Sequence, residues 1–286
     1  MTANEHSLHE RRPFPDRAPV VIQPSKSTTL DFAELWQYRE LLYFLTWRDV
    51  KVRYKQTALG AAWAILQPLF MMGIFTLFFG RLGGFDTGGV PYPLFALAGL
   101  VPWTFFANAI SMSGNSMVGS THLISKVYFP RLLIPAGAIA ACLVDLGLSA
   151  LVLAGALALY RVPPTTHLLM LPFLVLLTSA LAFGVGAWLS ALNVKYRDVR
   201  FLLPFLIQLW FFASCVIVPS NALPAKWRAF IMLNPLTGVI EAYRSSLFGL
   251  PFHWASLGFA TLVAIAVLIY STYSFRRMEK HFADMI

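Results

Sequence analysis

Charge is what this sequence has least of: Asp, Glu, Lys and Arg make up 12% of its 286 residues, while 58% are hydrophobic. A soluble domain carries about a quarter of its residues as charges, so an integral membrane protein is expected. Cysteine is almost absent. Cys142 and Cys215 lie in apolar stretches of different helices, which excludes a disulfide framework or a cysteine-based metal site. No Gly-Lys dipeptide occurs, so the phosphate-cradling loop of ATPases is missing and any ATP hydrolysis belongs to another chain. His6, His9, His122, His167, His253 and His281 are scattered among tails and span ends, with no spacing that serves a metal or a nucleophile. No catalytic residue, metal or cofactor is therefore expected in this chain.

What is there is apolar sequence in long pieces. Uncharged runs cover residues 56–80, 87–125, 162–194, 201–225 and 245–275, and a sixth, 132–160, is interrupted only by Asp145. Crossing the hydrocarbon takes about 20 apolar residues as a helix, so six spans are expected within residues 57–275. Six spans place the N-terminal segment, loops 114–131 and 193–200 and the C-terminal tail on one side, with 17 of the 22 Lys and Arg. Cytoplasmic loops gather such cations, so both termini are read as cytoplasmic. The net charge of +9 then reflects this bias and affinity for anionic lipids rather than nucleic acid. Residues 1–30 are polar and contain Pro13, Pro15, Pro19 and Pro24, reading as a disordered cytoplasmic tail; residues 276–286 form a second tail.

Helical spacing adds detail. Leu35, Tyr38, Leu42 and Leu45 share one face, with Gln37, Glu40, Arg48, Lys51 and Lys55 on the other, so residues 31–56 read as an amphipathic interfacial helix and basic linker. Val50, Val52 and Tyr54 alternate with Lys51, Arg53 and Lys55, but no partner strand is in view, which favours helix or irregular linker. In the second span, Thr104, Asn108, Ser111 and Asn115 form a polar stripe, either hydrogen-bonding to neighbouring helices or walling a wet pathway. Ala150, Ala154 and Ala158 in the third span and Ala180, Ala182, Gly184 and Gly186 in the fourth predict close backbone packing. Asp145, near the middle of the third span, is either functional or a hydrogen-bonded structural carboxylate, with no intramembrane cation to partner it.

Phe201, Phe205, Gln208 and Phe212 make an aromatic stripe with an amide at its centre on the fifth span, about 201–219. Lipid-facing or core packing competes here with sugar binding, since rings take the apolar faces of sugars and amides their hydroxyls. Two short helical patterns follow, about 224–233 and 236–248, the second started by Asn234-Pro235 as N-cap and first-turn proline. A re-entrant or surface pair on the outer face fits them. Loop 114–131 mixes apolar Met117, Leu123, Ile124, Tyr128 and Phe129 with Lys126 and Arg131, and an apolar helix face exposed there would seek a partner.

Four stretches, "WRDVKVRYKQTALGAAWAILQP", "LISKVYFPR", "LNVKYRDVR" and "LNPLTGVIEAYRSSLFG", together resemble the membrane subunit of ABC-type exporters of lipid-linked polysaccharides, the permeases for O-antigen, capsule and teichoic acid, and O-antigen permeases most. The resemblance covers about residues 31–286. It implies an all-α membrane protein of the ABC-2 exporter fold: six transmembrane helices after an interfacial helix, with residues 224–248 as a periplasmic re-entrant pair. It further implies a homodimer in the bacterial inner membrane on two copies of a cytosolic ATPase that holds ATP and Mg. Spans one, two and five would face a channel lined by Thr104, Asn108, Ser111, Phe201, Phe205, Gln208 and Phe212. Loop 114–131 would be the ATPase-coupling helix, through Met117, Leu123, Ile124, Lys126, Tyr128, Phe129 and Arg131. The substrate would be a polysaccharide on undecaprenyl diphosphate, its head group loaded at Arg48, Lys51, Arg53 and Lys55, unless these cations only set topology. A drug or small-lipid ABC exporter, a membrane-embedded transferase and an ion-coupled transporter built on Asp145 stand as alternatives.

Overall fold

In the computed structural model, residues 36–55, 62–126 and 129–279 are described. The 1–30 tail, the first residues of the expected interfacial helix, residues 56–61, Tyr128 and the end of the C-terminal tail lie outside them. The described chain is helical, with no strand among the described residues. Helix α1 covers Arg39–Lys55 and α2 Ala62–Phe75, the latter continuing in wider π-helical turns over Thr76–Leu82. Then come α3 (Tyr92–Gly119), α4 (Thr121–Lys126), α5 (Leu133–Leu159), α6 (Leu171–Lys195), α7 (Val199–Ala213), α8 (Ala225–Ile231), α9 (Pro235–Phe248) and α10 (Trp254–Glu279).

Among the described residues, five helices are long and apolar enough to cross a membrane: Ala62–Gly80, Tyr92–Gly119, Leu133–Leu159, Thr166–Lys195 and Trp254–Glu279. The sixth expected span is shorter. Helix α7 has 15 residues, about 22 Å at 1.5 Å per residue, against hydrocarbon of about 30 Å. It stops because the chain turns at Ser214, with Cys215 in the left-handed region at φ 50.

The central element is α3, which is mostly buried and packs against α2, α5, α6, α7 and α9. Small residues set its closest approach. A Cβ on Gly186 of α6 would lie 2.7 Å from the Ser113 Cβ of α3, and one on Gly184 would lie 2.8 Å from Val267 of α10. The small-residue expectation therefore holds for α6, which is gripped on two faces. It fails for α5, where Ala150, Ala154 and Ala158 are exposed.

Helix α1 packs along the start of α5. Leu45 meets Gly137 and, eight residues further along both helices, Arg53 meets Asp145, so the two run side by side in the same direction. The face Tyr38, Leu42, Leu45 is on the packed side, and Gln37, Glu40, Arg48, Lys51 and Lys55 are exposed. The helix runs unbroken to Lys55, which resolves the strand-like alternation in favour of helix.

The irregular stretch after α7 is held by two side chains. Asn234 accepts from the Leu236 amide at 3.1 Å as the expected N-cap of α9, accepts from Trp210 Nε1 at 3.0 Å, and donates to the Ala213 carbonyl at 3.0 Å. Arg244, one of the Lys and Arg outside the 17 on the side read as cytoplasmic, is buried. It donates to the carbonyls of Cys215 at 3.0 Å and Val216 at 2.6 Å, and its guanidinium carbon lies 3.6 Å from the Phe95 ring centre. Gly99 makes room, because a Cβ there would sit 2.6 Å from Arg244 Nη2. Replacing Arg244 with Met strands two carbonyls, one on a strained residue. It is expected to destabilise the protein by about 3 kcal/mol, read as a lowered thermal midpoint in detergent.

Candidate functional site: a polar groove beside the central helix

On α3, the residues that are only partly buried between Thr104 and Ser116 are Thr104, Ala107, Asn108, Ser111, Met112, Asn115 and Ser116. Their spacing keeps them on one stripe of an otherwise buried helix. Two cavities open along that stripe. One, of about 300 Å³, is lined by Thr104, Asn108 and Ser111 of α3, Trp63 and Gln67 of α2, Arg53 and Tyr54 of α1, and Asp145 and Ser149 of α5. The other, of about 440 Å³, is lined by Ser111, Asn115 and Gly119 of α3 with Arg48, Asp49 and Arg53 of α1. The polar stripe read from the sequence is thus the wall of a groove, and Arg53 borders both of its parts.

Helical geometry divides the basic cluster. Arg48, Lys51 and Lys55 follow one another at i, i+3 and i+7 and share the exposed face. Arg53 falls in line with Leu42, Leu45 and Asp49 instead, and so points inward. Arg48 pairs with Asp49 at 2.8 Å, and Lys51 lies 5.3 Å over the Trp47 ring. The Arg53 guanidinium forms an ion pair with Asp145 through Nη1, while its Nη2 meets the sulfurs of Met112 and, at 3.5 Å, Cys142. Tyr54 donates its hydroxyl to the other Asp145 oxygen. The expectation that Asp145 has no cation partner is therefore corrected: α1 brings one to the middle of α5, over a sequence separation too large for helical periodicity to show.

The aromatic stripe lies elsewhere. Phe201, Phe205, Gln208 and Phe212 are exposed along the outer face of α7, the three rings between 59% and 71%, and neither cavity of the groove includes them. Within one chain, the two sets expected to line a channel are not brought together. The inner face of α7 packs on α3 through Leu203 and Trp210, the indole ring of Trp210 5.1 Å from Phe106.

The expected coupling loop is also reshaped. Residues 114–119 are the last turns of α3, leaving α4 and its flanks as the connector. Four of its described apolar residues are not presented outward. Met117 and Phe129 are buried, and Leu123 and Ile124 pack beside them in a cluster with Leu45, Ala187 and Phe275. Arg131 donates to the Glu279 carbonyl at 2.9 Å, joining this end to α10. His122 and Lys126 are exposed. Sequence reading also missed Gln67 and Ser149, single polar residues in apolar runs, and Asn193. The Asn193 amide ties α6 to the Gly114 carbonyl at 2.9 Å and to Asn115 Oδ1 at 3.2 Å.

A multi-pass helical membrane protein with a polar groove at the face of its central helix is the class these features define. The chain belongs to the ABC-2 type transporter family, whose model matches residues 40–248. It is 28% identical over 257 residues to the O-antigen export system permease protein RfbA of Myxococcus xanthus, covering 88% of this chain and 98% of that one. An RfbA of Klebsiella pneumoniae with the same description is 25% identical over 248 residues, 86% of this chain and 95% of that one. The polysialic acid transport protein KpsM of Escherichia coli is 23% identical over 239 residues, 82% of this chain and 91% of that one.

If the groove holds water, Ser111→Cys, placed in a chain whose two cysteines are replaced by alanine, reacts readily with a small charged thiol reagent. Leu97→Cys, on the fully buried side of α3, is expected to react at least about tenfold more slowly.

Proposed function

We propose that this chain is the channel-forming permease of an ATP-driven exporter that carries undecaprenyl-diphosphate-linked polysaccharide, O-antigen in particular, across the bacterial inner membrane. The observation that carries the reading is the polar groove along α3, with an arginine in its wall, in a family member whose full-length relatives include O-antigen export permeases. Glycan hydroxyls need hydrogen-bond partners, which Thr104, Asn108 and Ser111 supply, and weak repeated contacts allow a polymer to slide. The KpsM likeness supports capsular polysaccharide as the second reading.

In this reading six segments traverse the bilayer, α7 completing its crossing with the turns after Ala213, and α8 and α9 form the re-entrant pair on the periplasmic side. Both termini are cytoplasmic, following the placement of Lys and Arg. Two copies meet so that the exposed rings of α7 and the apolar outer face of α2, with Phe70, Ile74 and Phe78, turn toward each other and the channel rather than toward lipid. The cations Arg48, Lys51 and Lys55 receive the diphosphate at the cytoplasmic interface, where ion pairs to phosphate are strong. Two cytosolic ATPase subunits, holding ATP and Mg, push on the connector at α4. Because Met117, Leu123, Ile124 and Phe129 are packed under it, the push passes to α1, α3 and α10 as a block.

Deleting the gene is expected to remove surface polysaccharide, and Arg48→Gln, Lys51→Gln and Lys55→Gln together to lower export strongly with topology intact. Full export with those three neutral sinks their head-group role. Phe205→Ala with Phe212→Ala is expected to reduce surface polysaccharide roughly tenfold while leaving drug resistance unchanged; the opposite pattern would mark a drug exporter.

A further inference from the structure

Among the cations of α1, Arg53 differs in its partners. Among the described residues its one anionic contact is Asp145, and its other contacts are the sulfurs of Met112 and Cys142, which accept hydrogen bonds weakly. A guanidinium offers five donors in a planar fork, so this one is charge-balanced but poorly matched. Asp145 has the opposite character, one oxygen on Arg53 and the other on the Tyr54 hydroxyl. Open volume adjoins the pair: the two cavities it borders are about 300 and 440 Å³, each equal to several waters at about 30 Å³ apiece. Gln67, Thr104 and Asn108 line the nearer cavity, and among the described residues their side chains make no hydrogen bond. Donors therefore converge on a space beside a cation whose present anion covers only part of it.

We infer that Asp145 is the resting counter-ion of Arg53, and that a phosphate-bearing lipid head group exchanges with it on the guanidinium during loading. The inference rests on the exporter reading above and deepens it. An unpaired arginine at this depth is costly, so the empty groove needs a carboxylate, and α5 supplies it. A diphosphate carries more oxygens than a carboxylate and matches the guanidinium fork in bidentate fashion. It can reach Arg53 from the exposed face of Arg48, Lys51 and Lys55 through the larger cavity, which Arg48 and Arg53 both line. Displaced, Asp145 keeps Tyr54 as a hydrogen-bond donor. The exchange also releases the ion pair between the end of α1 and α5 and leaves the Tyr54 hydrogen bond as their remaining polar link there, so occupancy of the groove loosens one of its walls.

The test uses the full-length chain in lipid nanodiscs, with farnesyl diphosphate as the probe and inorganic pyrophosphate or farnesol as competitors. The wild-type protein is expected to bind the probe, and pyrophosphate, not farnesol, to compete. Arg53→Gln is expected to weaken binding at least about tenfold and Arg53→Lys less, while Asp145→Asn and Asp145→Ser, which remove the competing anion, tighten it at least about threefold. Monodisperse elution checks that each variant folds. Unchanged or weakened binding in the folded Asp145 variants overturns the exchange, as does competition by farnesol alone or no binding by the wild-type chain. Surface polysaccharide in the deletion strain separates the two claims: its loss, with no diphosphate binding, retires the counter-ion and leaves the exporter, whereas its persistence retires the exporter reading.

Discussion

A backbone carbonyl or amide left bare in hydrocarbon costs several kcal/mol, and the irregular parts of this chain are built around that constraint. Helices answer it internally, so the difficulty concentrates where α7 stops after 15 residues. There the carbonyls of Ala213, Cys215 and Val216 are taken by Asn234 and Arg244, both in the segment that leads back as α9. The break and its remedy lie within about thirty residues of each other. Arg244 in turn needs a place for its charge, which Phe95, Glu241 and the absent side chain of Gly99 provide. The position of α9 against α3 follows from these contacts as much as from its apolar face.

The same low dielectric sorts the cations. Those that turn outward, Arg48, Lys51 and Lys55, need only solvent or head groups. Those that turn inward, Arg53 and Arg244, are arginines, whose delocalised charge and forked donors suit buried pairing better than a lysine ammonium. Each is answered differently. Arg244 is buried among carbonyls and an aromatic ring, and acts as a clamp. Arg53 is answered by a single carboxylate with open volume on either side, and that difference in surroundings separates a structural arginine from one available to a ligand.

Much of this was legible in the sequence, for reasons that are local. The bounds of α5 and α6, the Asn234-Pro235 start of α9 and the outward face of α1 follow from uncharged length, capping chemistry and helical spacing. The polar stripe was legible too, because four polar side chains at helical spacing on an apolar helix must share a face. Long-range contacts were not. Nothing in the neighbourhood of Asp145 announces Arg53, which arrives from 92 positions earlier. The apolar residues around α4 look unsatisfied until α1, α6 and α10 close over them. The aromatic stripe of α7 is legible as a face, but which surface it meets depends on what lies beyond one chain. Division of the basic cluster was within reach, since a helical count already puts Arg53 away from Arg48, Lys51 and Lys55.

The distribution of burial says which walls of the groove can move. Helix α3 is locked: Ser113 is against Gly186, Gly114 against Leu203 and Asn193, and Gly99 against Arg244. Close-packed faces like these have few alternative arrangements. The opposite walls are held more lightly, since α2 is almost entirely unburied within the chain and α1 contributes Leu45 as its one buried residue. Segments with few buried contacts open at the lowest free energy. A groove with one rigid wall bearing its polar stripe, and a loose wall bearing its cation, changes shape by movement of the cation rather than of the stripe. The Arg53–Asp145 pair is a contact that such movement strains, because among the described residues it is the ion pair that joins the end of α1 to the middle of α5, with the Tyr54 hydrogen bond beside it.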